Sequence, residues 1–125
     1  LDVAKHKFLV RDSLDFLEYS FKKNIKYDLI ICDPPSFSRG ENGVFKIESS
    51  LEVLLRNCLS CLSSKGQLLF STNFENFYID DIRKTILKVK STLSLDKLEI
   101  NNIHSSLDFE LPGKKSILKS FLIKT

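Results

Sequence analysis

The chain has 125 residues and a mass of 14.4 kDa, which suits one domain with a real core. Hydrophobic residues make up 42% and charged residues 28%, so long disorder, collagen and a disulfide scaffold are excluded. The net charge of +3 is compatible with a polyanionic partner without requiring one.

The longest unbroken apolar run, residues 29–32, is far too short to span a membrane. Residues 1–10 carry Asp2, Lys5, His6 and Lys7 in place of an apolar leader core, so a cytoplasmic protein is expected. Three cysteines, an odd number with no framework spacing, fit a reducing compartment. Cys58 and Cys61 form a C-x-x-C, for which redox or zinc chemistry is one reading. Their place near the end of an apolar helical stripe favours core packing, because the negative pole of a helix disfavours a thiolate. A zinc site would also need two further ligands, and only His6, His104 and Cys32 remain. No metal site is therefore expected.

In chain order, residues 7–10 read as a short strand. Asp12-Ser13 then supplies cap chemistry for a helix whose apolar positions are Leu14, Leu17 and Phe21. Residues 27–32 read as a fully buried strand. The segment 33–43, with two prolines and two glycines, is expected to be irregular. Ile47, Leu51, Leu54, Leu55, Cys58, Leu59 and Leu62 form one helical face, which Ser63-Ser64-Lys65-Gly66 ends. Residues 67–71 make the next strand. Ile79, Ile82, Ile86 and Val89 mark another helix, with Asp80 and Asp81 at its start and Lys88 and Lys90 at its end. Residues 95–103 and 116–123 are two further strands, separated by a loop containing Leu111-Pro112-Gly113. This alternation predicts an α/β fold with a mostly parallel sheet and one antiparallel C-terminal strand.

Ligands of open α/β sheets bind beyond the carboxyl ends of strands. That rule selects residues 11–13, 33–43 and 71–77. The second is the most informative. Two consecutive prolines in Asp33-Pro34-Pro35-Ser36-Phe37 stiffen the turn and remove two N–H donors, leaving acceptors. Asp33, before a proline, is held extended with its carboxylate aimed out of the strand end. Phe37 offers a flat face for a planar base. The plainer reading is a Pro-stiffened loop whose Asp caps a turn and whose Phe sits in the core.

Asp-Pro-Pro-Ser-Phe in this position resembles the fourth motif of S-adenosylmethionine-dependent methyltransferases acting on nucleic-acid bases. Together with residues 67–71 running into Thr72-Asn73, Phe77 and residues 106–109, it resembles the bacterial 23S ribosomal RNA methyltransferase family, which includes guanine-N7 and cytosine-C5 enzymes. The resemblance runs from about Lys7 to Ile123. It implies a Rossmann-like domain over residues 1–125, S-adenosylmethionine as cofactor and RNA as partner.

The resemblance also implies residue roles. Asp12 would accept from the cofactor's adenine amino group, and the Ser13 N–H would meet the ring. Asp33 and Pro34 would lie near its methionine end, with Asp33, Pro34, Pro35 and Phe37 around the target base. Asp12-Ser13 reads equally as a helix cap. A cytosine-C5 enzyme needs a thiolate just after residues 67–71, where this chain has Ser71-Thr72-Asn73. A ring nitrogen such as guanine N7 brings its own lone pair, so catalysis reduces to positioning. The Ser-x-Asn arrangement resembles the guanine-N7 branch, in which Asn73 would bond the base; a turn-forming role for Asn73 is the alternative.

The family carries a Gly-rich turn after its first strand and a ribose-binding acid after its second. Gly40, Gly43, Gly66 and Gly113 form no such turn, so the first two strands of the domain are expected to be absent. The exposed sheet edge that results could pair with a second copy as a homodimer. Arg11, Arg39, Lys46, Lys114 and Lys115 are available to phosphates, or form a solvated surface. Adenine-N6 methylation, with Asp33 accepting from the exocyclic amine, and a non-catalytic RNA-binding remnant are the other readings.

Overall fold

Three amphipathic helices and one face of a sheet close around a single apolar core. The computed structural model describes residues 3–40, 43–104 and 117–125. After a short 3-10 turn, α1 (Ser13–Lys22) leads into β1 (Tyr27–Cys32). A hairpin of β2 (Phe37–Gly40) and β3 (Gly43–Lys46) passes directly into α2 (Ile47–Ser60). Next come β4 (Leu62–Thr72), α3 (Ile79–Thr92), β5 (Glu99–Ile103) and β6 (Lys119–Lys124). The main sheet has the order β1-β4-β6-β5. β1 runs parallel to β4, while β6 is antiparallel to both β4 and β5. The expected antiparallel C-terminal strand is therefore present, one place in from the sheet edge.

Alternation along the strands divides the sheet into two unlike faces. Leu68, Phe70, Phe121 and Ile123 are buried beneath Leu17 of α1, Leu51, Leu55 and Cys58 of α2, and Ile82, Ile86 and Val89 of α3. On the opposite face, Leu29 and Ile31 are 57% and 69% exposed. The helices thus form one layer on one side of the sheet. Helix ends follow local chemistry. α1 and α3 are followed by Asn24 and Ser94 at φ 52°, the left-handed geometry common after a helix. The Asp81 carboxylate accepts from the Tyr78 N–H at the start of α3 (3.1 Å).

Several sequence expectations need correction. Residues 7–10 are not a strand, and Val10 is fully exposed. A strand exists through its ladder, and no described strand offers this segment one. β1 is not fully buried, because it is an edge strand with helices on one face only. Segment 33–43 is not wholly irregular: Gly40 pairs with Gly43 to close a hairpin, and Gly43 has φ 114°. Gly43 tolerates that φ because it has no Cβ. α2 stops at Ser60, so Leu62 belongs to β4, which starts earlier than expected. Gly66 permits that early start, since a Cβ there would lie 3.0 Å from the Tyr27 carbonyl oxygen. β5 is confined to the second half of residues 95–103, and β6 starts at Lys119. Residues 106–109, Leu111-Pro112-Gly113, Lys114 and Lys115 lie outside the described residues.

The sidedness of the sheet has a direct stability consequence. Phe70→Ala, on the helix-covered face, should lower unfolding free energy by about 3–5 kcal/mol. Ile31→Ala, on the bare face, should change it by less than about 0.5 kcal/mol. Urea denaturation followed by circular dichroism reads both.

Candidate functional site

β1 delivers the diproline corner to its carboxyl end, and α1 brings its N-terminus beside it. Between them lies a cleft of about 860 Å³, lined among others by Asp12, Ser13, Asp33, Pro34, Pro35 and Ser38. This volume falls within the roughly 300–1,000 Å³ usual for small-molecule sites. The two sequence segments singled out for a cofactor therefore share one cavity.

Asp12 caps α1. Its Oδ1 accepts from the Leu14 N–H at 2.9 Å and the Asp15 N–H at 3.2 Å. Both bonds use the same oxygen, so the cap does not engage Oδ2. Capping and a second contact are thus compatible on one carboxylate. Asp33 is exposed at the strand end, as its position before proline required.

The floor of the cleft includes Cys32 and Cys58. A hydrogen bond from the Cys58 thiol holds the Cys32 thiol below its usual range, against burial and the Asp33 charge. The same bond, with burial, pushes Cys58 up. Burial likewise raises Cys61, whose thiol donates to the Leu17 carbonyl at 3.4 Å. Cys58 and Cys61 are 1% and 0% exposed and pack in the core. No group of three or more metal-binding side chains occurs among the described residues.

Two predicted site residues stand apart from the cleft wall. Asn73, just past β4, accepts a hydrogen bond from the Ser36 hydroxyl at 3.3 Å, which ties the third segment to the diproline corner. Phe37 begins β2, and strand alternation sends it to the face opposite Ser38 and Phe45. It is 49% exposed, with the Arg39 guanidinium 5.7 Å from its ring centre. The sequence reading missed two contributors. Ser36 anchors the corner through its hydroxyl and through its carbonyl, which accepts from the Ile47 N–H at 3.1 Å. Phe45 closes the cleft from the hairpin. Recognising that hairpin would have identified both. Lys119 also serves this end of the sheet, donating to the Phe74 carbonyl at 2.7 Å, and burial lowers its pKa.

No family model matches the chain. It is 38% identical over 100 residues to the Ribosomal RNA large subunit methyltransferase K/L of Marinobacter nauticus, covering 77% of this chain and 14% of that protein. It is 31% identical over 84 residues to the Ribosomal RNA large subunit methyltransferase K of Neisseria meningitidis, covering 66% of this chain and 24% of that one. SMU.776, a methyltransferase by designation and solved as a complex with SAH, superposes on all of this chain with 31% identity and a TM-score of 0.78, over 33% of its own length. The chain thus spans a third or less of each of these relatives. Within that span, it belongs to the S-adenosylmethionine-dependent methyltransferase family of the ribosomal RNA large subunit.

Proposed function

We propose that the chain is part of an S-adenosylmethionine-dependent enzyme that methylates RNA, with guanine N7 of 23S ribosomal RNA as the acceptor. The observation that carries this reading is the exposed Asp33-Pro34-Pro35 corner at the end of β1, sharing one cleft with Asp12 and Ser13.

The cleft suits the cofactor in size and in chemistry. An Asp12 oxygen outside the helix cap is available to an adenine amino group. The Ser13 N–H, in the first turn of α1, is a donor for a ring nitrogen. Asp33 and the donor-free prolines present negative charge and carbonyl acceptors, the complement of a cationic sulfur. When bound, the cofactor supplies an electrophilic methyl group. Asp33, Pro34 and Pro35 would orient the target base, and Asn73, fixed through Ser36, would steady the corner or bond the base. Guanine N7 needs no proton removed, so orientation is the whole task of these residues.

Cytosine C5 is disfavoured. Ser71-Thr72-Asn73 stands at the end of β4 where that chemistry needs a thiolate, and Cys58 and Cys61 are buried. β1 is an edge strand of the sheet among the described residues, and the family's remaining strands and Gly-rich turn would pair along that edge, beside the cleft. A second copy pairing along that edge is the alternative occupant. The free cysteines suit the cytoplasm. No helix among the described residues is long and apolar enough to cross a membrane.

Two outcomes test this reading. Asp12→Asn should keep the cap and stay within about 0.5 kcal/mol of the parent in stability, whereas Asp12→Ala should lose about 1 kcal/mol. Both should weaken S-adenosylhomocysteine binding by about tenfold or more in calorimetry, the loss of one charge-assisted hydrogen bond. Equal affinity in parent and variants would reduce Asp12 to a cap. Separately, the whole enzyme should give 7-methylguanosine on nucleoside analysis of methylated RNA, and Asp33→Asn should lower that yield at least about tenfold through lost positioning. A 5-methylcytidine or N6-methyladenosine product would replace the guanine assignment.

A further inference from the structure

The β2–β3 hairpin has two faces with different chemistry. Ser38 and Phe45, paired across the strands, turn toward the cleft and core. The opposite face carries Phe37 paired with Lys46 and Arg39 paired with Val44, which also borders the cleft. Phe37 is 49% exposed, Arg39 and Lys46 are exposed, and the guanidinium lies over the ring at 5.7 Å. The ion pairs among the described residues, Lys88–Glu52 and Lys124–Glu99, involve neither of these cations. A half-exposed phenyl ring flanked by two such cations contributes little to the core, and the register alone groups them on one face.

We propose that this outer face of the hairpin is a stacking platform for single-stranded nucleic acid, holding the nucleotides that flank the base presented to the cleft. It deepens the reading given above and rests on that reading for RNA as the partner. An unpaired base offers a planar face to the Phe37 ring or to the guanidinium plane over it. Arg39 and Lys46 supply the positive charge that the adjoining phosphates require. An acidic peptide would use the two cations but would leave the ring without a planar partner. Continuity with the site is covalent and short. Phe37 stands two residues beyond Pro35, and Ser36 between them is fixed by its hydrogen bonds with Asn73 and the Ile47 N–H. A strand seated on the platform is thereby held at a set distance from the diproline corner.

The test is fluorescence anisotropy of a labelled single-stranded RNA dodecamer with the 125-residue chain and no cofactor present. Phe37→Ala and Phe37→Leu should each weaken binding about 5- to 100-fold, because both remove the π face and leucine keeps the bulk. Phe37→Tyr should retain affinity within about threefold, since stacking on tyrosine is equivalent. Arg39→Gln and Lys46→Gln should each lower the slope of log affinity against log salt by about 0.7, one phosphate contact apiece. Unchanged thermal unfolding of the variants ties these losses to the surface. The proposal is overturned if the unmodified chain binds no RNA or if Phe37→Leu binds like the parent. It is overturned equally if only the cation variants lose affinity, the pattern of a general polyanion or acidic-peptide site. Because cofactor is absent, a failure of the adenosyl ligand to bind in calorimetry would count against the cofactor reading and leave this result intact.

Discussion

The parallel ladder between β1 and β4 is the constraint on which the site depends. Leu29 to Cys32 pair in unbroken register with Gln67 to Phe70, so β1 ends two residues before β4 does. β1 then turns at Asp33-Pro34-Pro35, while β4 runs on to Thr72 and is followed by Asn73. The Ser36–Asn73 hydrogen bond spans segments 37 residues apart in sequence because that register aligns them. At the other end of the ladder the pairing is irregular between Tyr27 and Leu29, and β4 approaches Tyr27 closely at Gly66. A one-residue slip would send Ile30 and Cys32 away from the core and move the carboxylate of Asp33 to the other side of the sheet.

What secures the ladder is burial on one side. Phe70, Leu68, Phe121 and Ile123 are wholly buried under three helices, and the sheet-to-helix contact supplies the apolar burial that a marginally stable domain of this size needs. The bare face gives no comparable support. Leu29 and Ile31 look onto the cleft, which the exposed Leu9 also lines. The floor of the site is therefore packed against the core, and its open wall is exposed. The cleft is walled by α1, the diproline corner and the hairpin.

Much of this was legible in the sequence, and unevenly so. Strand β1 and helix α3 were readable because their patterns match one period each: a continuous apolar run in the first, and Ile79, Ile82, Ile86 and Val89 in the second. The Asp12 cap and the placement of Asp33 at a strand end followed from local backbone chemistry, which acts over three or four residues. Burial did not follow. Leu29 and Ile31 are as apolar as Ile30, and they are exposed because no described element covers that edge and face of β1. Residues 7–10 have strand-forming side chains but no ladder partner among the described residues, which no local pattern encodes. The hairpin was masked by its own punctuation: Pro34, Pro35, Gly40 and Gly43 mark a loop, while Phe37, Arg39, Val44 and Phe45 between and beyond them pair. With the hairpin unrecognised, the outward direction of Phe37 was out of reach, since it depends on the alternation the strand imposes.

The central claim is that the cleft at the carboxyl end of β1 is where an adenosyl ligand sits. The most direct measurement is an amide NMR titration of the chain with S-adenosylhomocysteine at up to millimolar ligand. The account predicts shifts concentrated at Ser13, Leu14, Asp33 and Ser36, with Asn73 following through its bond to Ser36. Shifts confined to the far end of the sheet, around Phe21, Lys26 and Ser63, or no shift at any concentration, would contradict it.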